Sequence, residues 1–279
     1  MTTMVPISTN QLALAQYFLI NRPDRVDDGT YRHSQTGRTL HGGLTGANLC
    51  MFILWHPALL NFSHGSPLPI YELGSNDGAF SFMAAALSSI PVSVHMIEIL
   101  EHRYCQGSRR WVRGIRRGVS SLPNDVRNRL LHQVQLPIPC HEDYTVGDSW
   151  LWKPFSCASP SPCIFFLNNA HGCIRGHIQS TLEDKVLRFV PVGSILISFD
   201  TLLEMDTSWQ EEMFQVTLPR HQLPWPSRGS NPYEMVQLDI YKYIKVKEYH
   251  GASHRPRNHA KTKVLPYEDF VKQNNISGW

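Results

Sequence analysis

The chain has 279 residues, 42% of them hydrophobic and 18% charged, with a formal net charge of +3, which is enough to bury a full core and favours one α/β domain with an N-terminal extension over two independent domains. Its longest apolar stretch near the start, Leu12 to Ile20, is broken by Gln16 and is well short of the roughly 20 residues that span a bilayer; it also lacks the basic start and cleavage site of a secretory signal. Six cysteines lie scattered at 50, 105, 140, 157, 163 and 173 with no Cys-x-x-Cys pair, and reduced, mostly buried thiols in a soluble intracellular protein are expected.

In chain order, Ser8 or Thr9 is placed to cap an amphipathic helix over 9–20. A polar loop over 21–43 and a second helix at about 45–56 complete an accessory helical region, residues 1–65. The α/β core, 66–245, opens on the most informative segment, Tyr71 to Phe80. An apolar run ends in Glu72, a turn carries Gly74 and Gly78, and a helix-forming stretch follows, which is the opening strand–turn–helix of a doubly wound sheet. The spacing Gly74-x-x-x-Gly78 differs from the three-glycine pyrophosphate fingerprint and suits a ligand without phosphates, such as S-adenosylmethionine.

Val92 to Ile99 reads as the second strand, ending in Glu98, an acid positioned to accept from two ribose hydroxyls. Further strands are expected at 134–139, 163–168 and 193–199, with helices at about 79–89, 101–114, 123–132 and 174–188. Glu212 to Leu218 and Glu234 to Tyr243 read as an antiparallel pair closing the sheet. Cys163 to Gly172 is a buried strand that stops at Asn168-Asn169, where a side-chain amide can both donate to and accept from a ligand. Cys157, Cys163, His171 and Cys173 match no common zinc spacing, and no metal is expected.

Basic residues cluster twice. Residues 103–117 hold Arg103, Arg109, Arg110, Arg113, Arg116 and Arg117 without an acid, and 242–263 holds seven Lys or Arg against Glu248. Both suit a polyanion, and the tail, 246–279, is expected to be the disordered part of the chain.

Taken together, these segments resemble the disruptor-of-telomeric-silencing (Dot-like, non-SET) family of histone H3 lysine methyltransferases, and in character its short trypanosomatid members most. Asn168-Asn169 resembles that family's Asn-Asn-Phe signature, and Glu-Leu-Gly-Ser-Asn-Asp-Gly its cofactor turn, with Glu72, Gly74, Ser75, Asn76 and Gly78. Met-Ile-Glu-Ile, with Glu98, is similar to its ribose strand, and Glu-Asp-Tyr, with Asp143 and Tyr144, to its adenine-binding Gly-Asp-Phe. His-Gly-Gly-Leu-Thr, ending at Thr45, resembles the loop that closes over the methionine part, and Trp225 and Tyr233 fall where the family's lysine-channel aromatics lie. The sequence departs from the pattern at Gly43, where the loop's acid is missing, and at Ala170 and His171, where aromatics are missing.

The resemblance implies a seven-strand class I (Rossmann-like) methyltransferase, S-adenosylmethionine as cofactor, and Asn168, Tyr233 and Trp225 around the reacting amine. It also implies a nucleosome substrate, a nuclear location, and non-specific DNA contact through Arg109, Arg110, Arg113, Arg116, Arg117 and the 242–263 tail. Methylation of RNA or a small molecule, and a chromatin-bound scaffold without catalysis, remain as alternatives.

Overall fold

The computed structural model describes residues 4–23, 31–32, 39–40, 46–64, 68–143, 161–167, 190–199, 207–223, 231–248 and 261–277. The main sheet has eight strands: β1 Ile70–Leu73, β2 Val94–Glu98, β3 Ile138–His141, β4 Ile164–Leu167, β5 Ile195–Ser198, β6 Trp209–Pro219, β7 Met235–Lys245 and β8 Lys263–Leu265. Their order is β8-β6-β7-β5-β4-β1-β2-β3. Strands β1 to β5 run parallel, β7 is antiparallel to β5 and β6, and β8 is parallel to β6. This is the seven-strand Rossmann-like methyltransferase sheet expected from the sequence, with an eighth strand added at its edge. A separate two-residue ladder pairs Tyr31–Arg32 with Thr39–Leu40.

The α-helices among the described residues are α1 Thr9–Ile20, α2 Ala47–Trp55, α3 Ala79–Leu87, α4 Glu101–Arg103, α5 Arg109–Gly118, α6 Asn124–His132 and α7 Tyr267–Asn274. Ser8, not Thr9, caps α1: its hydroxyl accepts from Gln11 N, while the Gln11 side chain accepts from Ser8 N at 3.1 Å. The two N-terminal helices form no separate layer. Phe18 of α1 and the wholly buried α2 join one cluster with Phe80, Phe82, Trp111 and Phe166 on the sheet face that the described helices cover. Phe80 stacks on Phe166 at 3.9 Å and Phe82 on Trp111 at 4.0 Å. Because side chains alternate along a strand, Leu73, Ile97, Phe165 and Leu167 form a second cluster on the other face. None of the described helices is long and apolar enough to cross a membrane.

Three differences from the sequence reading have physical causes. The helix expected over 101–114 is divided by a π-helical turn, Tyr104–Ser108, which brings Gly107 against Asp77; a β-carbon on Gly107 would lie 3.2 Å from Asp77 Cα. The tail is not all disordered. Lys263–Leu265 adds to the sheet, and α7 buries Tyr267 and Phe270 at helical spacing against Phe52. The chain's two ends are also tied together, with Ile7 N donating to Asn274 Oδ1 at 2.8 Å and Asn48 Nδ2 to Ile276 O at 2.9 Å. Finally, Lys242 and Lys245 belong to the interior of β7 rather than to a basic surface. Lys242 Nζ donates to the carbonyls of Ala58 and Leu59 at 2.9 and 2.7 Å, and Lys245 Nζ to Ser208 Oγ at 2.8 Å. Burial pulls the Lys242 ammonium below its ordinary pKa, against the opposing pull of Glu212.

Candidate active site

The order of the sheet reverses between β1 and β4, which both lie beside the chain's central crossover, and ligands of such sheets bind at the carboxyl ends of these strands. There the turn after β1 is unusually bent. Gly74, Asn76 and Gly78 all have positive φ, at 68°, 55° and 91°. Glycine carries no steric cost in this region, and asparagine tolerates it better than most residues. Gly78 is also fixed by space, since a β-carbon there would sit 2.1 Å from Met96 Sδ. The turn is tied to β2 by Ser75 N donating to Ile97 O at 2.9 Å.

Three buried acids surround this turn. Glu98, 3% exposed, accepts from Asn76 N through Oε2 at 2.8 Å and from Leu100 N through Oε1 at 2.9 Å. It therefore holds the turn and the β2–α4 link in one register, and each carboxylate oxygen keeps a further lone pair. Glu72, 1% exposed, points to the helix side, where Oε2 accepts from Ser81 N at 3.0 Å and from Ser81 Oγ at 2.5 Å. It thus satisfies a free N–H in the first turn of α3. Desolvation pushes the Glu72 carboxyl up to about 8, against the lowering effect of the Ser81 bonds and with Asp77 adding to the rise.

Asp77, the third acid, is gripped by Arg22, which follows α1. Arg22 Nε and one terminal nitrogen donate to the two Asp77 oxygens at 2.6 and 3.2 Å, and the guanidinium lies 5.4 Å from the centre of the Trp111 ring. Burial lowers the Arg22 pKa, but the Asp77 carboxylate more than offsets this and leaves it above its ordinary value. Ser108 Oγ closes the other side by donating to Asn76 O at 3.2 Å.

The structure brings together Glu72, Gly74, Ser75, Asn76, Gly78 and Glu98 in this way. Asp143 follows directly, because Glu142 N donates to Glu98 O at 3.1 Å just past the end of β3. Asn168, Thr45, Tyr144 and Trp225 lie outside the described residues. Their described neighbours are Leu167, in register with Leu73, and Gly46, whose N donates to Gln222 O at 3.0 Å. Gly46 leaves no room for a side chain, since a β-carbon would lie 2.7 Å from Gln222 Cα. This contact joins the start of α2 to the connection between β6 and β7. Tyr233 lies on that connection, 76% exposed, with its ring edge-on to His221 at 5.7 Å. Since β7 runs antiparallel to β5 and Ser198 pairs with Tyr241, this connection projects from the carboxyl edge that also carries the glycine turn. Among the described residues, no bond joins Tyr233 to that turn.

Sequence reasoning missed Arg22, Ser81 and Ser108. Only an acid within the glycine turn hinted at a cation, and nothing in the sequence identified a partner 55 positions away. Chemically, the site offers carboxylate acceptors and backbone bent to admit a ligand.

No protein-family model and no curated protein matches the chain. Among solved structures it is similar to a protein from Pyrococcus horikoshii with a proposed RNA methyltransferase function, at 14% identity and a TM-score of 0.42 over 86% of this chain and 100% of that one. A proposed O-methyltransferase from Klebsiella pneumoniae shares 12% identity at a TM-score of 0.43, over 87% and 92% of the two chains. The O-methyltransferase from Bacillus cereus in complex with SAH shares 12% at 0.40, over 86% and 93%. Likeness at this level carries no argument about substrate, and the fold assignment stands on the strand order itself.

Proposed function

We propose that this chain is an S-adenosylmethionine-dependent methyltransferase whose acceptor is a lysine of histone H3 in the nucleosome core. One observation carries the cofactor half: the thrice left-handed turn after β1 is hydrogen-bonded to the acid ending β2, beside a buried hydroxyl, Ser75 Oγ, that has no partner among the described residues. An orphaned buried hydroxyl and a carboxylate with free lone pairs fit a hydroxyl-bearing ligand held without phosphate contacts. Glu98 would take the ribose hydroxyls, Asp143 and Tyr144 the adenine, and Thr45 the methionine end, with Gly74 and Gly78 giving backbone access. When bound, S-adenosylmethionine supplies a methyl group activated by a positively charged sulfur.

The chain's own task is then to present a neutral amine in line and to keep water out. Free lysine has a pKa of ~10.4, and a dry aromatic channel lowers it by penalising the ammonium form. Tyr233 and Trp225 are assigned to that channel and Asn168 to orienting the amine, following the family resemblance. Alignment in a near-attack pose supplies much of the acceleration. A second reading, an RNA acceptor, is favoured by the exposed arginines of α5.

Titration with S-adenosylmethionine tests the cofactor half. Binding that weakens at least about tenfold in Glu98→Ala supports it, on the scale of losing one or two charged hydrogen bonds. Equal affinity in the variant removes Glu98 from the ribose site, and no binding by the wild type removes the reading altogether.

A further inference from the structure

We propose that a cavity at the β3 edge of the sheet is a binding site for a single-chain aliphatic carboxylate of medium length. The cavity has a volume of about 420 Å³ and opens to solvent. Its wall follows from the sequence. Leu130, Leu131 and Val134 recur at helical spacing around the end of α6, and Val134, Leu136 and Ile138 then alternate into β3. This change of period gathers their side chains, with that of Val119 just after α5, around one hollow. Leu130 is buried, but Leu131 and Ile138 are 57% and 39% exposed, so apolar surface faces water here.

The chemistry of the wall selects the ligand. Its apolar part is aliphatic, and no aromatic side chain among the described lining residues offers a face to a planar ring. Two polar side chains complete it, Arg116 and Gln135. Arg116 is exposed and in no ion pair with a described residue, and Arg113 and Arg117 on the same helix add to the positive potential. None of the described lining residues is acidic, and Asp125 lies in the first turn of α6 whereas Leu130 and Leu131 lie in its last. A flexible apolar chain ending in an anion meets both halves of the site. The chain fills the hollow, and a carboxylate at the mouth accepts from the guanidinium, with the Gln135 amide as a second donor.

Size and charge disfavour larger occupants. A cavity of this volume falls in the range of small-ligand sites. A protein partner needs about 800 Å² of surface on each side, and on this wall Leu131 and Ile138 are the exposed large hydrophobics among the described residues. A second copy of the chain docked face to face would set Arg113, Arg116 and Arg117 against their own counterparts. The cavity is also apart from the cofactor turn. Ile138 begins β3, whereas the contact on the cofactor side, Glu142 N to Glu98 O, lies past the other end of that strand.

Isothermal calorimetry with hexanoate, octanoate and decanoate, with neither cofactor nor histone present, tests the site separately from the methyltransferase reading. Saturable one-to-one binding should tighten about fourfold for each added methylene. Decanoate should bind more tightly than decyltrimethylammonium, which has the same tail and the opposite charge. Leu131→Asp sets an anion at the mouth, on an exposed position, and should weaken decanoate at least about tenfold. Arg116→Gln should weaken it roughly threefold, on the scale of one exposed ion pair, and should narrow the preference for the carboxylate over the ammonium. Absence of saturable decanoate binding overturns the proposal, and so does an affinity for decanoate that is unchanged in either variant. Tighter binding of decyltrimethylammonium, or of an acidic leucine-containing peptide, likewise overturns it.

Discussion

Glu72→Gln separates the titration of one buried acid from the rest of the protein. In the folded chain Glu72 is 1% exposed and its carboxyl is pushed from the ordinary 4.5 up to about 8. Between those values the folded state keeps a proton that the unfolded chain releases. Stability from this group is therefore complete at low pH and is lost as pH rises from about 4.5 to about 8, after which both states are ionised. One proton corresponds to about 1.4 kcal/mol per pH unit, so the span amounts to roughly 5 kcal/mol, and the step from pH 5 to pH 7 to about half of that. Glutamine keeps an oxygen to accept from Ser81 N and Oγ and cannot ionise. Urea denaturation of both proteins at pH 5, 6, 7 and 8 gives the two stability profiles. All other titrating groups are shared, so their difference isolates Glu72. The wild type should fall by roughly 2–3 kcal/mol relative to the variant between pH 5 and pH 7. Parallel profiles would show that Glu72 ionises freely in the folded protein and would refute its description as a desolvated, neutral cap of α3.

Three further outcomes follow from the same geometry. Gly78→Ala places a side chain at φ 91° and 2.1 Å from Met96 Sδ, and it should cost at least about 2 kcal/mol in urea denaturation; a cost under 1 kcal/mol would mean that the turn is not held against β2. Arg22→Ala leaves the Asp77 carboxylate buried without its guanidinium, so it should destabilise by about 3 kcal/mol and weaken cofactor binding, whereas Arg22→Met with Asp77→Asn should recover most of both. Additive losses in that double variant would remove the ion pair as the link between α1 and the turn. Lys242→Met strands the carbonyls of Ala58 and Leu59 and should cost about 1–3 kcal/mol, while leaving DNA affinity unchanged; a drop in DNA affinity at unchanged stability would return Lys242 to the basic surface.

Patterns carried by nearby residues were legible in the sequence. The capped helix over 9–20 coincides with α1, because its stop and start signals and its apolar residues lie within one segment. The glycine turn and Glu98 were legible for the same reason, and the strand–helix alternation gave the sheet's parallel half. Long-range effects were not. Nothing in Arg22 or Asp77 marks them as partners, and the π-helical turn that carries Gly107 against Asp77 joins residues 30 positions apart. The tail reading weighed its charges above its spacing. Leu238, Ile240 and Lys242 share one side of a strand by alternation, so Lys242 reads as inward-facing once β7 is extended to Lys245. Tyr267, Phe270 and Asn274 likewise carry a helical period that the neighbouring lysines obscured.

The central claim is methyl transfer to a nucleosomal lysine, and the direct test is to supply labelled S-adenosylmethionine to nucleosomes, free histone H3 and bulk RNA in parallel, with Asn168→Ala as control. The account predicts label in histone H3 of nucleosomes, lost in the variant. Label confined to RNA, or no label despite cofactor binding, would contradict it.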